Sequence, residues 1–310
     1  MQVITVIKEI KKKIGNARTA VALGTFDGVH VGHSSIIQRA KELAEEIGGK
    51  SVVFTFSNHP LSVLAPAKKP MQLGDRLSKV YLMEQEGIDF LVNIPFTEKI
   101  ASLSPIVFLV ALKHYLHPAY VVVGPNFSFG AKGKGSPRML LREGEKYGFQ
   151  AEIAQEVQRE GRIVSSTRIR NLVEDGDLEK TNEFLGHPFT VGGRVIHGDH
   201  RGNTIGFPTA NLPIGKKRAM LPNGAYAVRA ILKGESYYGI ANIGDNPTFE
   251  GCNRRIEIHI LDFDKDIYDE ALLVEFCYKL RPQKKFSGID ALVAQLRQDE
   301  RTARKLFKIN

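Results

Sequence analysis

Between residue 19 and about residue 155, short apolar runs rich in β-branched residues alternate with longer stretches of helical pattern. Strands that alternate with helices are typical of βαβ units, in which parallel strands form a sheet with helices on both faces. Five runs fit such strands, namely TAVALGTF, SVVFTF, DFLVNI, AYVVVG and FQAEIAQEV. The sequence therefore predicts an α/β fold with a doubly wound, Rossmann-like N-terminal domain.

The pattern changes near Gly186 to Pro188. Residues 166–185 favour two short helices, whereas the following alternating strands are separated by Gly, Asn and Pro turns, as in a small antiparallel β-barrel. The final segment, SGIDALVAQLRQDERTARKLF, has helical spacing and is predicted to be a C-terminal helix over one barrel end. We therefore expect two domains, residues 1–185 and 186–310. A fragment from about residue 184 onward should keep its own activity.

The composition excludes several classes of protein. The longest apolar runs, such as Ile106 to Leu112, fall far short of the roughly 20 residues that a membrane-spanning helix needs, and the N-terminus does not resemble a secretory signal. Only Cys252 and Cys277 occur, which argues against a disulfide framework or a zinc site. We expect a cytoplasmic protein with no membrane association and no obligate protein partner. The net charge of +9 fits either nucleic acid or polyanionic small molecules.

The segment GTFDGVHVGH, Gly24 to His33, follows a predicted strand and opens a predicted helix. Its glycines permit close approach of the backbone to a ligand, and a helix N-terminus favours phosphate. His30 and His33 can both face that helix entrance, where as catalytic groups they would stabilise charge on an α-phosphate. An ordinary turn with capping or packing histidines is the alternative. The predicted nucleotide site also comprises Gly24, Phe26, Asp27 and Gly28.

This segment resembles the HxGH signature of nucleotidyltransferases, in the variant carried by bacterial bifunctional riboflavin kinase/FAD synthetases. FTFSNHP at 54–60 is similar to that family's second motif, and GPNFSFG at 124–130 is similar to its GxDFxFG motif. The resemblance implies that flavin is bound beside His59, Pro60, Asn126, Phe127 and Phe129. The two aromatic rings can stack on a flavin or adenine face, or simply pack. Asn126 replaces the commoner Asp, so it cannot carry a metal charge.

VSSTRIR, at 164–170, resembles the family's ISSTxIR loop, which implies that its hydroxyls and arginine bind the triphosphate. Adenylyl transfer needs hydrogen-bond donors around the phosphorus more than it needs a strong base. Ser166 and Thr167 can supply such donors, and Arg170 can bind two phosphate oxygens at once. For either hydroxyl taken alone, a simple helix N-cap is an equally good interpretation.

GDHRGNTIGFPTANL, Gly198 to Leu212, resembles the riboflavin kinase motif GDxxGRxxGFPTANL. The resemblance implies that Thr209 and Asn211 help to hold Mg²⁺ and the ATP phosphates, a task suited to hard oxygen ligands. The glycine-rich loop would present backbone donors to phosphate through Gly198, Gly202 and Gly206. The chain departs from the family pattern at Asn203, Asp269 and Gln283. None of these departures removes a proposed site residue, so an active kinase is expected.

Glu257 stands at the position of the family's catalytic acid residue, within RRIEIHILDFDKDIY. A primary hydroxyl is a poor nucleophile at neutral pH, so a carboxylate near the end of the ribityl chain can serve as a general base. Strand alternation places Glu257 and His259 on the face opposite the neighbouring isoleucines. That face either lines the substrate cavity or is simply the solvated side of the strand.

The resemblance implies that residues 186–310 phosphorylate riboflavin to FMN and that residues 1–185 adenylylate FMN to FAD, with ATP as co-substrate, Mg²⁺ as cofactor and no nucleic acid. A relative of the class I aminoacyl-tRNA synthetases is one alternative, but a KMSKS-like sequence is absent. A non-catalytic flavin-binding regulator is another. The joint presence of His30, His33, Thr209, Asn211 and Glu257 argues against it, because a binder would not require all these groups.

Overall fold

The computed structural model describes residues 1–198, 202, 205–248 and 251–309, so that Asn203 and the side chain of Cys252 lie outside the described part. The chain forms two compact units. The N-terminal unit comprises residues 1–70 and 79–165, and the barrel unit comprises residues 71–78 and 166–310. The domain boundary near residue 185 stays a prediction.

The N-terminal unit is built on a parallel sheet of six strands. The strands are β1 (Gln2–Ile4), β2 (Thr19–Leu23), β3 (Lys50–Phe56), β4 (Phe90–Ile94), β5 (Pro118–Val123) and β6 (Gln150–Ile153), in the order β1-β4-β3-β2-β5-β6. Its α-helices are α1 (Ile7–Ile14), α2 (Val31–Glu46), α3 (Leu61–Leu64), the main part of α4 (Arg76–Gln85), α5 (Glu98–Ala101), α6 (Pro105–Leu116) and α7 (Pro137–Glu143). A small hairpin pairs β7 (Gln158–Arg159) with β8 (Arg162–Ile163).

The predicted Rossmann-like sheet is confirmed, and all five predicted strands are present. Strand β2 is buried along its whole length, which is why its sequence is continuously apolar rather than alternating. Strand β1 was not predicted because it has only three residues. Helix α1 was overlooked although Ile7, Ile10 and Ile14 recur at helical spacing, and Ile10 and Ile14 are buried. Strand order reverses at β2, which pairs with β3 on one side and β5 on the other. In such sheets, ligands bind beyond the carboxyl ends of the strands at this reversal.

The barrel unit contains a six-stranded antiparallel sheet. Its strands are β9 (Phe189–Arg194), β10 (Ala210–Pro213), β11 (Gly224–Leu232), β12 (Glu235–Thr248), β13 (Gly251–Ile260) and β14 (Ala271–Pro282), in the order β10-β13-β12-β11-β14-β9. A bridge between Ile196 and Asn211 links the two outer strands, so the predicted barrel is nearly closed. Strand β10 was missed because it is short and lies inside the PTANL motif.

Within the described residues, the barrel unit also contains the helices α8 (Ser166–Asp175), α9 (Leu178–Leu185) and α10 (Ile289–Phe307). The predicted C-terminal helix is therefore present, and Ala303 packs with Ala227 and Ile240 of the barrel. The two short helices predicted over residues 166–185 are also confirmed. In the described ranges, no helix has both the length and the apolar character needed to cross a membrane.

Residues 71–78, which we call the clasp, pair with the barrel although they precede it by about a hundred residues. The Gln72 backbone N–H donates to the Lys217 carbonyl at 2.9 Å, and its carbonyl accepts from the Ala219 N–H at 3.0 Å. The Asp75 carboxylate accepts from Arg218 Nη1 at 3.0 Å and from the Gly192 N–H at 2.8 Å. The clasp is thus an integral part of the barrel unit.

Candidate active sites

Three of the predicted motifs lie at the carboxyl ends of adjacent strands in the N-terminal unit. Gly24 to His33 follows β2, Gly124 to Gly130 follows β5, and residues 54–60 contain the end of β3. These three strands are neighbours, and strand order reverses among them. The structure therefore brings the three motifs to the edge at which doubly wound sheets bind nucleotides.

The turn between β2 and α2 has a strained backbone. Phe26, Gly28 and Val29 have φ values of 47°, 84° and 44°, in the left-handed region that residues other than glycine disfavour. Each such residue costs about 1–3 kcal/mol and persists only where the surroundings enforce it. Phe26 and Val29 are buried in the core, and a Cβ at Gly24 would lie 2.9 Å from the Phe26 ring. Because its ring is buried, Phe26 could contact a nucleotide only through its backbone.

His30 and His33 lie together at the start of α2. His30 is the N-cap residue, and its Nδ1 accepts the His33 N–H at 3.3 Å. In the neutral ring this places the proton of His30 on Nε2. The two imidazoles stack with centroids 3.6 Å apart. His30 therefore caps α2, and its proposed part in binding phosphate stays a prediction.

The electrostatics of this pair refine the predicted role of His33. Burial lowers the pKa of His33 well below its usual value, and the neighbouring His30 and Lys79 lower it further. His33 is therefore neutral at neutral pH, and its Nδ1 is buried with no hydrogen-bond partner within the described part of the chain. A neutral imidazole can still donate one N–H to a phosphate oxygen. The arrangement favours hydrogen-bond donation over a fixed positive charge.

The predicted flavin contacts differ in their surroundings. His59 Nδ1 accepts the Leu61 N–H at 3.1 Å, and Asn126 is exposed. Phe129 is buried in the core and stacks with Phe127 at a centroid distance of 5.8 Å. Phe127 is half-buried. Of the two aromatic rings, Phe127 is therefore the better placed to contact a flavin. The assignment of all five residues, including Pro60, to flavin binding stays a prediction.

The predicted triphosphate donors fall in the barrel unit, whereas His30 and His33 fall in the N-terminal unit. Ser166 and Thr167 are the first two residues of α8, and Arg170 Nε donates to the Met71 carbonyl at 2.6 Å. This hydrogen bond uses the Nε–H of the guanidinium. Their participation in one site with the histidines stays a prediction.

The barrel unit contains a cavity of about 290 Å³ beside the PTANL motif. Thr209 lies in its wall, as do Ile258 and Ile260 of β13. The remaining wall comes from Val195, Pro208, Ala210 and the segment Phe263 to Tyr268, in which Asp264, Lys265 and Asp266 supply charge. An apolar cavity with a few charged and hydroxyl groups suits a planar ligand that carries phosphate or hydroxyl groups.

Asn211 lies in β10 and is only 4% exposed. Its Oδ1 is buried and accepts no hydrogen bond in the ranges that the structure describes. A buried carbonyl oxygen that lacks a partner is costly unless a ligand satisfies it. This oxygen and the Thr209 hydroxyl are hard donors of the kind that Mg²⁺ prefers. No cluster of three His, Cys, Asp or Glu side chains forms a metal site among the described residues.

The glycine-rich loop approaches both donors closely. A Cβ at Gly198 would lie 2.3 Å from Asn211 Nδ2, and one at Gly202 would lie 2.2 Å from the Phe207 carbonyl oxygen and 3.5 Å from Thr209 Oγ1. Gly206 has a φ of 80°, which only glycine adopts readily. Glycine is therefore required at these positions, consistent with the predicted phosphate loop.

This close approach gives a testable prediction. Gly198→Ala should displace the Asn211 amide, and because a misplacement of about 1 Å can cost about 100-fold in rate, FMN formation should fall by roughly that factor. Gly215→Ala is the matched control, because no atom lies within 4 Å of its added Cβ. Steady-state kinase assays decide the matter. Parent-like turnover by Gly198→Ala would contradict the assigned loop geometry.

Glu257 lies on β13 between two asparagines. Its register partners are Asn211 on β10 and Asn242 on β12, and residues opposite each other in antiparallel strands share a face. The isoleucines at 256, 258 and 260 are buried on the other face, as the alternation predicted. His259, one position further along this face, bonds the Pro208 carbonyl through Nδ1 at 2.9 Å. The structure thus places Glu257 beside Asn211. Both lie on the face opposite Ile258 and Ile260, which line the cavity, so neither is part of the wall of that cavity.

Family models for two enzymes match successive parts of this chain. The FAD synthetase family model matches residues 12–168, and the riboflavin kinase family model matches residues 185–307. The bifunctional riboflavin kinase/FMN adenylyltransferase of Listeria monocytogenes is 38% identical over 292 residues, which cover 93% of this chain and 92% of that protein. The chain belongs to the bifunctional riboflavin kinase/FMN adenylyltransferase family.

Other members of the bifunctional family match along nearly the same length. The Bacillus subtilis protein is 38% identical over 94% of this chain and 93% of its own, and the Escherichia coli protein is 36% identical over 93% and 92%. A crystal structure described as a macrolide-efflux protein from Streptococcus pneumoniae is 31% identical, with a TM-score of 0.81 over 98% of this chain and 99% of its own. That description differs from those of the sequence relatives, but the shared fold is the one found here.

Sequence reasoning missed several groups at the two sites of this family member. Asn242 can be placed beside Glu257 only once the register of β12 and β13 is known. Lys79 and the clasp residue Asp75 lie outside every motif, and their partners are distant in sequence. The segment Phe263 to Tyr268 did carry a signal, because its aromatic and acidic residues directly follow the strand of Glu257.

Proposed function

We propose that this protein makes flavin cofactors in two ATP-dependent steps, phosphorylating riboflavin to FMN and adenylylating FMN to FAD. The observation that carries the proposal is that the FAD synthetase model matches residues 12–168 and the riboflavin kinase model matches residues 185–307. ATP is the co-substrate of both steps. The polyanionic substrates also account for the basic composition without nucleic acid. We further propose that the protein works in the cytoplasm without an obligate protein partner.

We assign the kinase step to Glu257 and the residues near it in register, Asn211 and Asn242. The terminal ribityl hydroxyl attacks the γ-phosphorus of ATP, the bond from that phosphorus to the β,γ-bridging oxygen breaks, and ADP leaves. Glu257 accepts the hydroxyl proton. The Thr209 hydroxyl and Asn211 Oδ1 would hold Mg²⁺, which would neutralise phosphate charge. Gly198, Gly202 and Gly206 let the loop backbone donate to the phosphates.

The adenylyl transfer step needs a different kind of help. A phosphate oxygen of FMN attacks the α-phosphorus of ATP, the α–β bridge breaks, and pyrophosphate leaves. Because the phosphate nucleophile is already ionised, the site requires oriented donors rather than a base. The N–H groups of His30 and His33, together with the start of α2, supply donors at the carboxyl end of β2. We assign further triphosphate contacts to Ser166, Thr167 and Arg170.

One assay tests the proposal directly. The purified protein is incubated with riboflavin, ATP and Mg²⁺, and the flavins and nucleotides are separated over time. FMN should appear first with ADP, and FAD should follow with pyrophosphate. Flavin binding without turnover would favour a non-catalytic binding protein. Charging of tRNA without flavin turnover would favour the synthetase alternative.

The histidine pair gives a second prediction. His30→Ala and His33→Ala should each lower FAD formation by roughly 100- to 1,000-fold, as is typical when one oriented donor is lost, while FMN formation is spared. Because the neutral form of His33 is the active one, FAD formation should also not fall as pH rises through 6.5. His114→Ala, at an exposed position of α6, is the control. Equal loss of both activities would indicate misfolding or a shared site.

A further inference from the structure

Lys79 lies on α4, outside every motif that the sequence singled out. Its Nζ donates to the Thr25 carbonyl at 2.9 Å, to the Phe56 carbonyl at 3.1 Å and to Thr55 Oγ1 at 3.4 Å. Thr25 opens the turn after β2, and Phe56 ends β3. One ammonium group therefore joins the carboxyl ends of two adjacent strands, from which the histidine turn and the FTFSNHP segment continue.

The turn that Lys79 holds is the strained one. Thr25, whose carbonyl also accepts from Thr55 Oγ1 at 3.1 Å, directly precedes Phe26, the first residue with a left-handed backbone. Strained backbone persists only where the surrounding structure over-determines it. The Lys79 and Thr55 bonds anchor the start of this turn, and the buried Phe26 and Val29 side chains anchor its middle. His30 follows as the cap of α2.

The position of the Lys79 ammonium is electrostatically unfavourable, because burial disfavours its charged form. Burial lowers the pKa of Lys79 to about 8, and the nearby carboxylate of Asp27 opposes that shift only in part. Of the described titratable groups, Asp27 in the turn raises the pKa of Lys79, and Lys79 lowers the pKa of His33 in α2. The positive charge of Lys79 in turn helps to keep His33 neutral. A purely structural contact would be made more cheaply by an uncharged donor.

We propose that Lys79 is a positioning residue for adenylyl transfer, whose ammonium holds the Thr25–His30 turn against the end of β3 so that His30 and His33 meet the nucleotide. This inference rests on the proposed FMN adenylyltransferase activity. Deprotonation leaves an amine with two N–H groups, which cannot make all three donations. FAD formation therefore falls as pH rises through about 8, the pKa of Lys79, and is fully supported below it.

The test compares Lys79→Met and Lys79→Arg with the parent enzyme. The kcat and KM for FAD formation from supplied FMN and ATP are measured between about pH 6.5 and 10, with FMN formation as an internal control. Lys79→Met should lower kcat about 100-fold at neutral pH, with little change in KM. Its FAD formation should no longer fall as pH rises through about 8. The kcat of Lys79→Arg should be at least tenfold above that of Lys79→Met. It should also not fall near pH 8, because a guanidinium stays charged.

Lys41→Met is the matched control, since Lys41 Nζ also donates to a backbone carbonyl, that of Glu86 at 2.7 Å. It should behave as the parent. The proposal is overturned if Lys79→Met keeps kcat within threefold, or if Lys79→Arg still loses FAD formation near pH 8. If Lys79→Met does not fold, the profiles of the parent and Lys79→Arg decide alone. Absence of FAD with the parent enzyme at every pH would instead overturn the proposed function, and this inference with it.

Discussion

Glu257→Gln should lower riboflavin phosphorylation by roughly 100- to 10,000-fold, the range typical of a lost general base. The substitution keeps the size and hydrogen-bonding capacity of the side chain and removes only its basicity. The effect should lie in kcat, with the KM values for riboflavin and ATP little changed, because the proton is transferred only in the transition state. Steady-state assays of FMN formation over a range of both substrates measure this directly.

Two further variants sharpen the interpretation. Glu257→Asp keeps a base but retracts it, so its rate should lie between those of the parent and Glu257→Gln. Glu235→Gln removes an exposed carboxylate at the start of β12 and should be silent. FAD formation from supplied FMN should survive in all three, because its nucleophile is already ionised. A Gln variant with near-parent kinase turnover would show that the proton acceptor lies elsewhere in the barrel.

The sequence predicted the elements of the fold better than their pairing. A short, continuously apolar run identifies β2, and strict alternation identifies β13. The parallel α/β pattern alone places the motif after β2 at the carboxyl edge of a sheet. That the motifs after β3 and β5 meet it there depends on strand order, which local pattern does not encode. In the barrel, the alternation around Glu257 predicted which face it occupies. Only the register shows that Asn211 and Asn242 flank it.

The chemistry of individual side chains was predictable only where it depends on neighbours in sequence. His30 and His33 are three residues apart, so their meeting at the start of α2 could be predicted from helical geometry. The lowered pKa of His33 could not, because burial and Lys79 cause part of it. Phe26 looked like a loop aromatic beside a nucleotide. Its backbone is left-handed and its ring is buried in the core, which its sequence neighbours do not reveal.

The clasp is the clearest case of a feature that sequence pattern does not reveal. Asp75 lies within the sequence matched by the FAD synthetase model, residues 12–168, yet its carboxylate binds Arg218 and Gly192 of the barrel unit. The Arg218 side chain is 8% exposed and that of Asp75 is 26% exposed. Arg218 also donates to the Thr190 carbonyl at 2.8 Å and lies over the Phe189 ring.

Asp75→Ala should therefore destabilise the barrel unit by about 3 kcal/mol, because it leaves a buried guanidinium without its carboxylate. For a unit of this size, that corresponds to a fall of roughly 6–12 °C in the unfolding midpoint. The loss is measured by circular dichroism together with kinase activity after heating. Ser78→Ala is the matched control, since Ser78 Oγ caps the Asp75 N–H at 2.9 Å without touching Arg218.

Arg218→Met tests whether the lone charge causes the loss. If it does, Asp75→Ala combined with Arg218→Met should be more stable than Asp75→Ala alone, because the second change removes the charge that the first leaves unpaired. Additive losses in the double variant would contradict a direct coupling. Heating should also abolish FMN formation before FAD formation in Asp75→Ala, although Asp75 lies in the half matched by the synthetase model.

The clasp also affects the expected stability of a barrel fragment. A fragment from residue 184 onward contains Gly198, Thr209, Asn211 and Glu257, so it should still phosphorylate riboflavin at low temperature. It lacks the clasp, α8 and most of α9, however, and its Arg218 has no Asp75. We expect the unfolding midpoint of the fragment to lie well below that of the full chain. Arg218→Met should raise the midpoint of the fragment. In the intact protein, the same substitution should leave the midpoint unchanged or lower it. A fragment as stable as the full chain, with no response to Arg218→Met, would show that the barrel does not depend on the clasp.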